Sequence, residues 1–436
     1  MGADKGLRQM AYDVLFKVWE NGAFLRPELD AMLRKYQYLD KRERAFLARL
    51  CEGCVEDCIY LDYVIDLYSK IKTGKMKPQI RTILRMGTYQ ILKMEGVADR
   101  AACNESVNLA IAKGFSGLKG FVNGVLRTIA REKDQIALPK REVDITKYLS
   151  VVYSTPEWLV SYWRDWLGEE KTEEILRASI GAAKTHVVIN TKKVTPQAFA
   201  EEMKSQGISW QKDDEVPFAG VIEGYDYLDA VPAFSRGECY VQDLSSLLAI
   251  KAAGIHASDV VMDLCSAPGG KAMSAVLLSK DEDGHCCQVS ARDLSDDKVE
   301  KICENISRTG LMEITPKVWD ARVIDEDWRE KADVVLCDVP CSGLGVIRRK
   351  NDIKYHTSPE SIKALQALQR EILLTAVTYV RPGGVLLYST CTITKEENED
   401  NVTWITEGYP FAAEEIRQSY PDETRDGFFY AKLIRQ

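Results

Sequence analysis

Val260-Val261-Met262-Asp263-Leu264-Cys265-Ser266-Ala267-Pro268-Gly269-Gly270-Lys271 is the stretch on which the fold of this 436-residue chain turns. Its first five residues form a short apolar run, as expected of a strand covered on both faces. A turn holding two adjacent glycines follows, and then an apolar helix through Leu278. Further strand-like runs lie at 287–291, 314–319, 333–337 and 385–389, with helical stretches between them. Strands alternating with helices predict a parallel, doubly wound sheet from Gly237 onward. Ligands of such sheets bind beyond the carboxyl ends of the strands.

Upstream the pattern changes. Residues 1–140 read as an all-α bundle: Met10, Ala11, Val14, Leu15 and Val18 recur at helical spacing, as do Phe46, Leu47 and Leu50. Asp40 is placed to cap a helix, and Pro78 to open another carrying Ile80, Leu84, Tyr89 and Leu92 on one stripe. Residues 141–236 mix a helix after Pro156, a strand at 186–190 and a helix at 196–206, and are expected to form a small α+β connector. Residues 237–436 form the α/β domain.

Composition excludes several classes. Hydrophobic residues make up 45% and charged residues 28%, which is ordinary for a globular chain and unlike collagen, disorder or a disulfide scaffold. No apolar run approaches the ~20 residues of a membrane span. Met1 to Gly6 hold no apolar signal core, so a cytoplasmic location is expected. There the twelve cysteines would be free thiols. Cys51, Cys54 and Cys58 lack a companion His or second pair, so no metal is expected.

The net charge of −8 argues against a nucleic-acid partner, but it is unevenly spread. Residues 1–140 carry 24 Lys+Arg against 17 Asp+Glu; the remainder carries 34 against 49. The densest run is Lys70, Lys72, Lys75, Lys77, Arg81, Arg85 and Lys93, with no acid between Asp66 and Glu95. Such a basic module on an acidic body suits phosphate binding.

The loop Cys265 to Lys271 is not the G-x-G-x-x-G that cradles a pyrophosphate. It suits a nucleoside cofactor without phosphates, such as S-adenosylmethionine. Asp293, at the end of the second strand, is placed to accept from ribose hydroxyls. Asp320, after the next strand-like run, could meet an adenine amino group or simply cap a loop. Asp338 and Cys341 follow the fourth strand and Cys391 the fifth, so two cysteines and an acid should open onto one crevice. Lone cysteines are usually small buried hydrophobes, but strand-end placement favours chemistry for these two.

At these residues the chain resembles the cytosine-5 RNA methyltransferases of the NOL1/NOP2/Sun family. Cys265-Ser266-Ala267-Pro268-Gly269-Gly270-Lys271 matches that family's cofactor loop, and Asp338-Val339-Pro340-Cys341-Ser342-Gly343 and Thr390-Cys391 match its two cysteine motifs. The segments 80–90 and 121–127 are similar to NusB-type RNA-binding helical domains. The pairing of the two is typical of the bacterial RsmB/Sun type, which acts on small-subunit (16S) ribosomal RNA. The resemblance covers nearly the whole chain. It implies a Rossmann-like methyltransferase domain, S-adenosylmethionine as cofactor, and methyl transfer to C5 of a cytosine through a covalent adduct between a cysteine and C6.

Carried over by position, Cys391 would be the nucleophile and Cys341 would assist release. Cys265 through Lys271, Asp293, Asp320 and Asp338 would hold the cofactor or the face of the base. Such chemistry needs a nucleophile, an acid and a group that takes the C5 proton. Lys72, Lys75, Lys77, Arg81 and Arg85 would bind RNA phosphates, and so would Arg348 and Arg349 beside the target base. The target would be flipped or already in a loop. Two other readings remain: an RNA-binding factor whose methyltransferase half is silent, or an enzyme acting on another RNA such as tRNA. The basic helical module and the second cysteine motif argue against DNA. No oligomeric partner is indicated.

Overall fold

A computed structural model describes residues 6–436. The chain divides into two compact units, one of residues 1–181 with 347–356, the other of residues 182–346 with 357–436.

The first unit is helical. Its elements are α1 (Leu7–Asn21), α2 (Leu25–Lys35), α3 (Lys41–Glu56), α4 (Cys58–Tyr68), α5 (Pro78–Lys93), α6 (Asp99–Ala112), α7 (Lys119–Glu132), α8 (Ile145–Val152), α9 (Glu157–Leu167) and α10 (Glu169–Ala178). Asp40 caps α3 as its position suggests: its carboxylate accepts from the Glu43 amide, and Glu43 reaches back to the Asp40 amide. Pro78 opens α5, which packs against α1, α3, α4, α6 and α7. Of its expected stripe, Ile80, Leu84 and Tyr89 are sealed in the core, whereas Leu92 is only partly buried against it. Cys51, Cys54 and Cys58 are buried thiols.

The second unit holds two sheets. The smaller contains β1 (Thr185–Ile189), β2 (Ser209–Lys212), β3 (Ala219–Glu223) and β4 (Cys239–Val241) in the order β2-β3-β1-β4, with every pair antiparallel. Helices α11 (Pro196–Ser205) and α12 (Pro232–Ser235) belong to it. The larger sheet uses β5 (Val260–Asp263), β6 (Gln288–Asp293), β7 (Ile314–Val318), β8 (Ala332–Asp338), β9 (Val380–Thr390), β10 (Phe411–Ser419) and β11 (Phe428–Arg435). Their order is β10-β11-β9-β8-β5-β6-β7. The four pairings that join β5 to β9 are parallel, whereas β9, β11 and β10 pair antiparallel. The doubly wound sheet expected from the sequence thus carries an antiparallel hairpin at one edge.

Both faces of the large sheet are covered, which is why its strands read as continuous apolar runs. Helices α13 (Leu244–Ala253), α14 (Gly270–Leu278) and α15 (Asp296–Thr309) pack on Val261, Val334 and Leu387. After β8 the chain leaves this unit; α16 (Ile353–His356) belongs to the first. The chain returns as α17 (Pro359–Tyr379), which with α18 (Glu399–Gly408) packs on Met262, Val335 and Leu386. Each neighbouring pair of strand residues thus serves opposite faces.

The expected connector at 141–236 is divided differently in space. Helices α8 to α10 go with the helical unit and β1 to β4 with the sheet unit. Within the sheet unit, the buried Asn190 amide donates to Gly237 O at 3.1 Å and Thr309 O at 2.9 Å, tying the end of β1 to the end of α15.

Residues 347–356 are stitched into the helical unit at two helix ends. Asp352 Oδ2 accepts from the Leu25 amide at 2.6 Å, at the start of α2. Lys354 Nζ donates to Glu56 O at 3.0 Å and Asn351 Nδ2 to Glu52 O at 2.9 Å, at the end of α3. An anion at a helix start and a cation at a helix end both complement the helix dipole. Burial lowers the Lys354 ammonium pKa to about 8.

Candidate active site

Strand register builds the site. β8 and β9 run parallel with Asp338 opposite Ser389, so the turns beyond them emerge side by side. Cys341 lies three residues past the end of β8 and Cys391 one past the end of β9. Their sulfurs stand 3.2 Å apart. Both cysteines are partly exposed as residues, although the Cys341 thiol itself is directed inward enough for burial to act on it. The turns are locked by Val339 N to Ser389 O at 3.2 Å and Gly345 N to Cys391 O at 3.0 Å. Only glycine fits at 345, because a Cβ there would lie 2.2 Å from Gly427 O and 2.9 Å from Cys391 O.

Lys271, from the first turn of α14, reaches the same place. Its ammonium lies 2.6 Å from Asp338 Oδ2, while Ser389 Oγ donates to Asp338 Oδ1 at 2.9 Å. Burial works to lower the Lys271 pKa, but Asp338 outweighs it and the net shift is upward, so the cation persists. The Cys341 thiol is pushed well up, first by its contact with Cys391, then by burial and by the charges of Glu397 and Asp338.

The glycine-containing loop is shaped by its neighbours. Ser266 N donates to Arg292 O at 2.8 Å, Ala267 N to Asp293 Oδ2 at 2.9 Å, and Asn305 Nδ2 to Pro268 O at 2.9 Å. Gly269 adopts φ +101°, a conformation that excludes side chains, and turns the chain into Gly270 at the start of α14. Asp293 also accepts from the Leu294 amide at 2.8 Å and pairs with Lys298 at 2.9 Å. A cavity of about 240 Å³ opens here, lined among others by Cys265, Asp293, Lys298, Trp319, Asp320 and Pro340. The structure therefore gathers Cys265, Asp293 and Asp320 around one space, with Pro340 linking it to the Cys341 turn. Asp320 is also gripped by Arg322, through the backbone amide at 2.9 Å and the guanidinium at 2.7 Å, which holds its carboxyl below the usual range.

Two features of the site were not singled out in the sequence. Asp263 ends β5 fully buried, with only the Ser266 hydroxyl drawn toward its carboxylate and no close hydrogen bond completed. Burial raises its pKa to about 7, against the pull of the Ser266 hydroxyl and Lys271. An acid closing an apolar strand was the available signal. The second is a polar network behind the cysteines. Glu397, Asn398, Asn401 and Gln369 are all fully buried. In sequence Lys395-Glu396-Glu397-Asn398-Glu399-Asp400-Asn401 looks like a solvated surface.

The basic run requires a correction. Arg85 is buried, held bidentately by Asp62 at 2.7 and 2.6 Å and stacked 4.5 Å from the Trp19 ring. Arg81 pairs with Glu20 at 2.5 Å and Lys93 with Asp57 at 3.6 Å. α5 is central, so its cations are neutralised by acids from α1, α4 and the α3–α4 junction. Lys72, Lys75 and Lys77 are exposed, although Lys72 Nζ also donates to Asp66 O at 2.6 Å. Arg348 and Arg349 are half-buried and partnered, within the segment that belongs to the helical unit. Among the described residues, no helix is long and apolar enough to cross a membrane.

Comparison with known proteins gives a consistent picture. Residues 252–408 match the model of the 16S rRNA methyltransferase RsmB/F family, residues 5–131 the NusB family, and residues 155–224 the ferredoxin-like domain of RsmF/B-like methyltransferases. The chain is 34% identical over 412 residues to the probable ribosomal RNA small subunit methyltransferase B of Bacillus subtilis, covering 93% of this chain and 89% of that one. It is 30% identical to ribosomal RNA small subunit methyltransferase B of Klebsiella pneumoniae, covering 99% and 98%. A crystal structure at 24% identity superposes over 99% of both chains with a TM-score of 0.81. A methyltransferase homologue from Pyrococcus horikoshii, at 23% identity, covers 67% of this chain and 99% of its own, with a TM-score of 0.59. Those two likenesses concern the fold.

Proposed function

Because the chain belongs to the 16S rRNA methyltransferase RsmB/F family, we propose that it methylates C5 of a cytosine in small-subunit ribosomal RNA, with S-adenosylmethionine as donor. The observation that carries this reading is the 3.2 Å separation of Cys341 and Cys391 beside the Lys271–Asp338 pair. The names of the relatives support the RNA class.

The residues present suit the donor. Asp263 is a buried carboxylate at the base of the loop whose oxygens complete no close hydrogen bond, so its charge would suit a cationic ligand. Cys265 to Lys271, Asp293 and Asp320 would hold it around the cavity. Bound there, S-adenosylmethionine would supply an electrophilic methyl group.

The chain's own residues supply the rest. C5 of cytosine is a weak nucleophile, and addition of the Cys391 thiolate at C6 makes it enamine-like. Lys271 favours that thiolate by its charge. Asp338, held by Lys271 and Ser389, would sit against N3 of the base. Contact with Cys391, burial and the charges of Glu397 and Asp338 disfavour a thiolate at Cys341, so Cys341 would be the sulfur that donates across the 3.2 Å contact. Once Cys391 is bonded to C6, the main cause raising the Cys341 pKa is gone. Cys341 can then lose its proton to solvent and take the C5 proton, after which the C6–S bond breaks. Exposed Lys75 and Lys77 would add sequence-independent attraction to phosphates.

The test uses labelled S-adenosylmethionine and small-subunit ribosomal RNA. Cys391→Ala should be dead, and Cys341→Ala should accumulate a covalent RNA adduct. An active Cys391→Ala together with an inactive, adduct-free Cys341→Ala would reverse the roles. Absence of label at cytosine C5 with the unaltered chain would end the proposal.

A further inference from the structure

Behind the two thiols lies a carboxylate that no step above uses. Glu397 is fully buried. Its Oε1 accepts from the Ser342 amide at 2.8 Å and from Gln369 Nε2 at 2.9 Å. Its Oε2 accepts from the Ser342 hydroxyl and from Thr394 Oγ1 at 2.7 Å. The donors come from three places: the Cys341 turn, the Cys391 turn and helix α17. Ser342 directly follows Cys341, and its hydroxyl also meets Thr392 Oγ1, beside Cys391, at 2.7 Å. Gln369 holds Pro340 O at 2.9 Å, so the residues on both sides of Cys341 are tied to this acid and its partner.

The network behind Glu397 is itself closed. Asn401 Nδ2 donates to Gln369 Oε1 at 2.9 Å and to Tyr388 OH at 3.0 Å. Thr390 Oγ1 donates to Asn398 Oδ1 at 2.6 Å, and Asn398 Nδ2 to Thr392 O at 3.1 Å, bracketing Cys391. A buried charge with four donors is fixed in place, because loss of any donor leaves it short of its hydration.

We propose that Glu397 is a positioning residue that sets the spacing of the two thiols and so decides which of them attacks. This rests on the two-cysteine reading above. Its bonds hold the Cys341 turn against the Cys391 turn. Its charge, with that of Asp338, disfavours a thiolate at Cys341, whereas Lys271 favours one at Cys391. Geometry and charge together decide which sulfur attacks and which waits.

Glu397→Gln keeps the size, loses the charge and aims an amide donor at groups that already donate. With full-length protein, kcat for methyl transfer should fall about tenfold or more. KM for donor and RNA should stay within about twofold, because neither touches Glu397. An RNA adduct should not accumulate, because a Cys341 that ionises more easily takes the C5 proton readily and it is attack by Cys391 that suffers. In a Cys391→Ala background, the pH midpoint of Cys341 alkylation, followed by mass spectrometry, should move down with Glu397→Gln and stay put with Glu397→Asp. A purely structural role would not separate those two variants. Should Glu397→Gln fail to fold, Thr394→Val removes one donor with little change in shape and should show the same kcat-only loss at smaller size. An unchanged kcat in the folded variant, or an unmoved alkylation midpoint, overturns the proposal. An inactive unaltered chain or an active Cys391→Ala refutes the two-cysteine reading instead.

Discussion

Asp263→Asn should make the ligand-free protein more stable while weakening its hold on the donor. Burial lifts the Asp263 carboxyl from an ordinary 3.8 to about 7. The folded state therefore keeps a proton that the unfolded chain has already released between those values. Stability from this group is intact below the lower value and declines as pH rises to the upper one. The difference corresponds to ~4 kcal/mol as an upper figure. Water entry and relaxation around a real buried charge bring the expected penalty nearer to ~2 kcal/mol. Asparagine keeps the shape and removes the charge, so the variant should gain on the original as pH rises from about 5 to about 8. A two-unit chain need not unfold in one step, so hydrogen exchange of the Val261 and Met262 amides is the apt measure. Equilibrium dialysis of S-adenosylmethionine supplies the second reading, where affinity should drop. A variant less stable than the original at about pH 8, or a difference that does not vary with pH, refutes the reasoning.

Arg85→Leu should cost the helical unit about 3 kcal/mol, because Asp62 loses a bidentate partner. It should leave the salt dependence of RNA binding alone, whereas neutralising Lys75 and Lys77 should flatten the slope by about 1 per lost phosphate contact. Equal slopes for both changes would show that Arg85 reaches RNA after all. Hydrogen peroxide should oxidise Cys391 to the sulfenic acid, which condenses with the Cys341 thiol 3.2 Å away, releasing water and leaving a disulfide. Activity should disappear with a mass decrease of about 2 Da and return with a thiol reductant. Separate sulfinic acids at the two positions would contradict the close approach.

What was legible in the sequence follows a physical rule. Strand ends in a parallel sheet share an edge, so Asp338, Cys341 and Cys391 could be brought together from spacing alone, and the Asp338–Ser389 register does so. Asp40 was legible because a capping box is local. The charge run at 70–93 was misjudged at Arg81 and Arg85 because their acids, Glu20 and Asp62, come from distant helices. Glu397 was hidden for the converse reason. Its flanks, Lys395 and Asp400, form an exposed pair, while Glu397, Asn398 and Asn401 recur at helical spacing and turn inward. The edge hairpin escaped because Phe428-Phe429-Tyr430 is covered on both faces and shows no alternation.

The ten residues from Ile347 to His356 have a bearing on ancestry. A helical module joined to a catalytic one at a single seam can be swapped by one recombination. Here the seam is double, because the polypeptide returns to the helices just after the Cys341 turn and supplies Asp352 and Lys354 to two of their ends. A gene fragment starting at Ala182 would carry that loop of chain without the carbonyl and amide it was built to meet. Exchange of either module would thus demand two crossovers, or a new loop evolved to stand free.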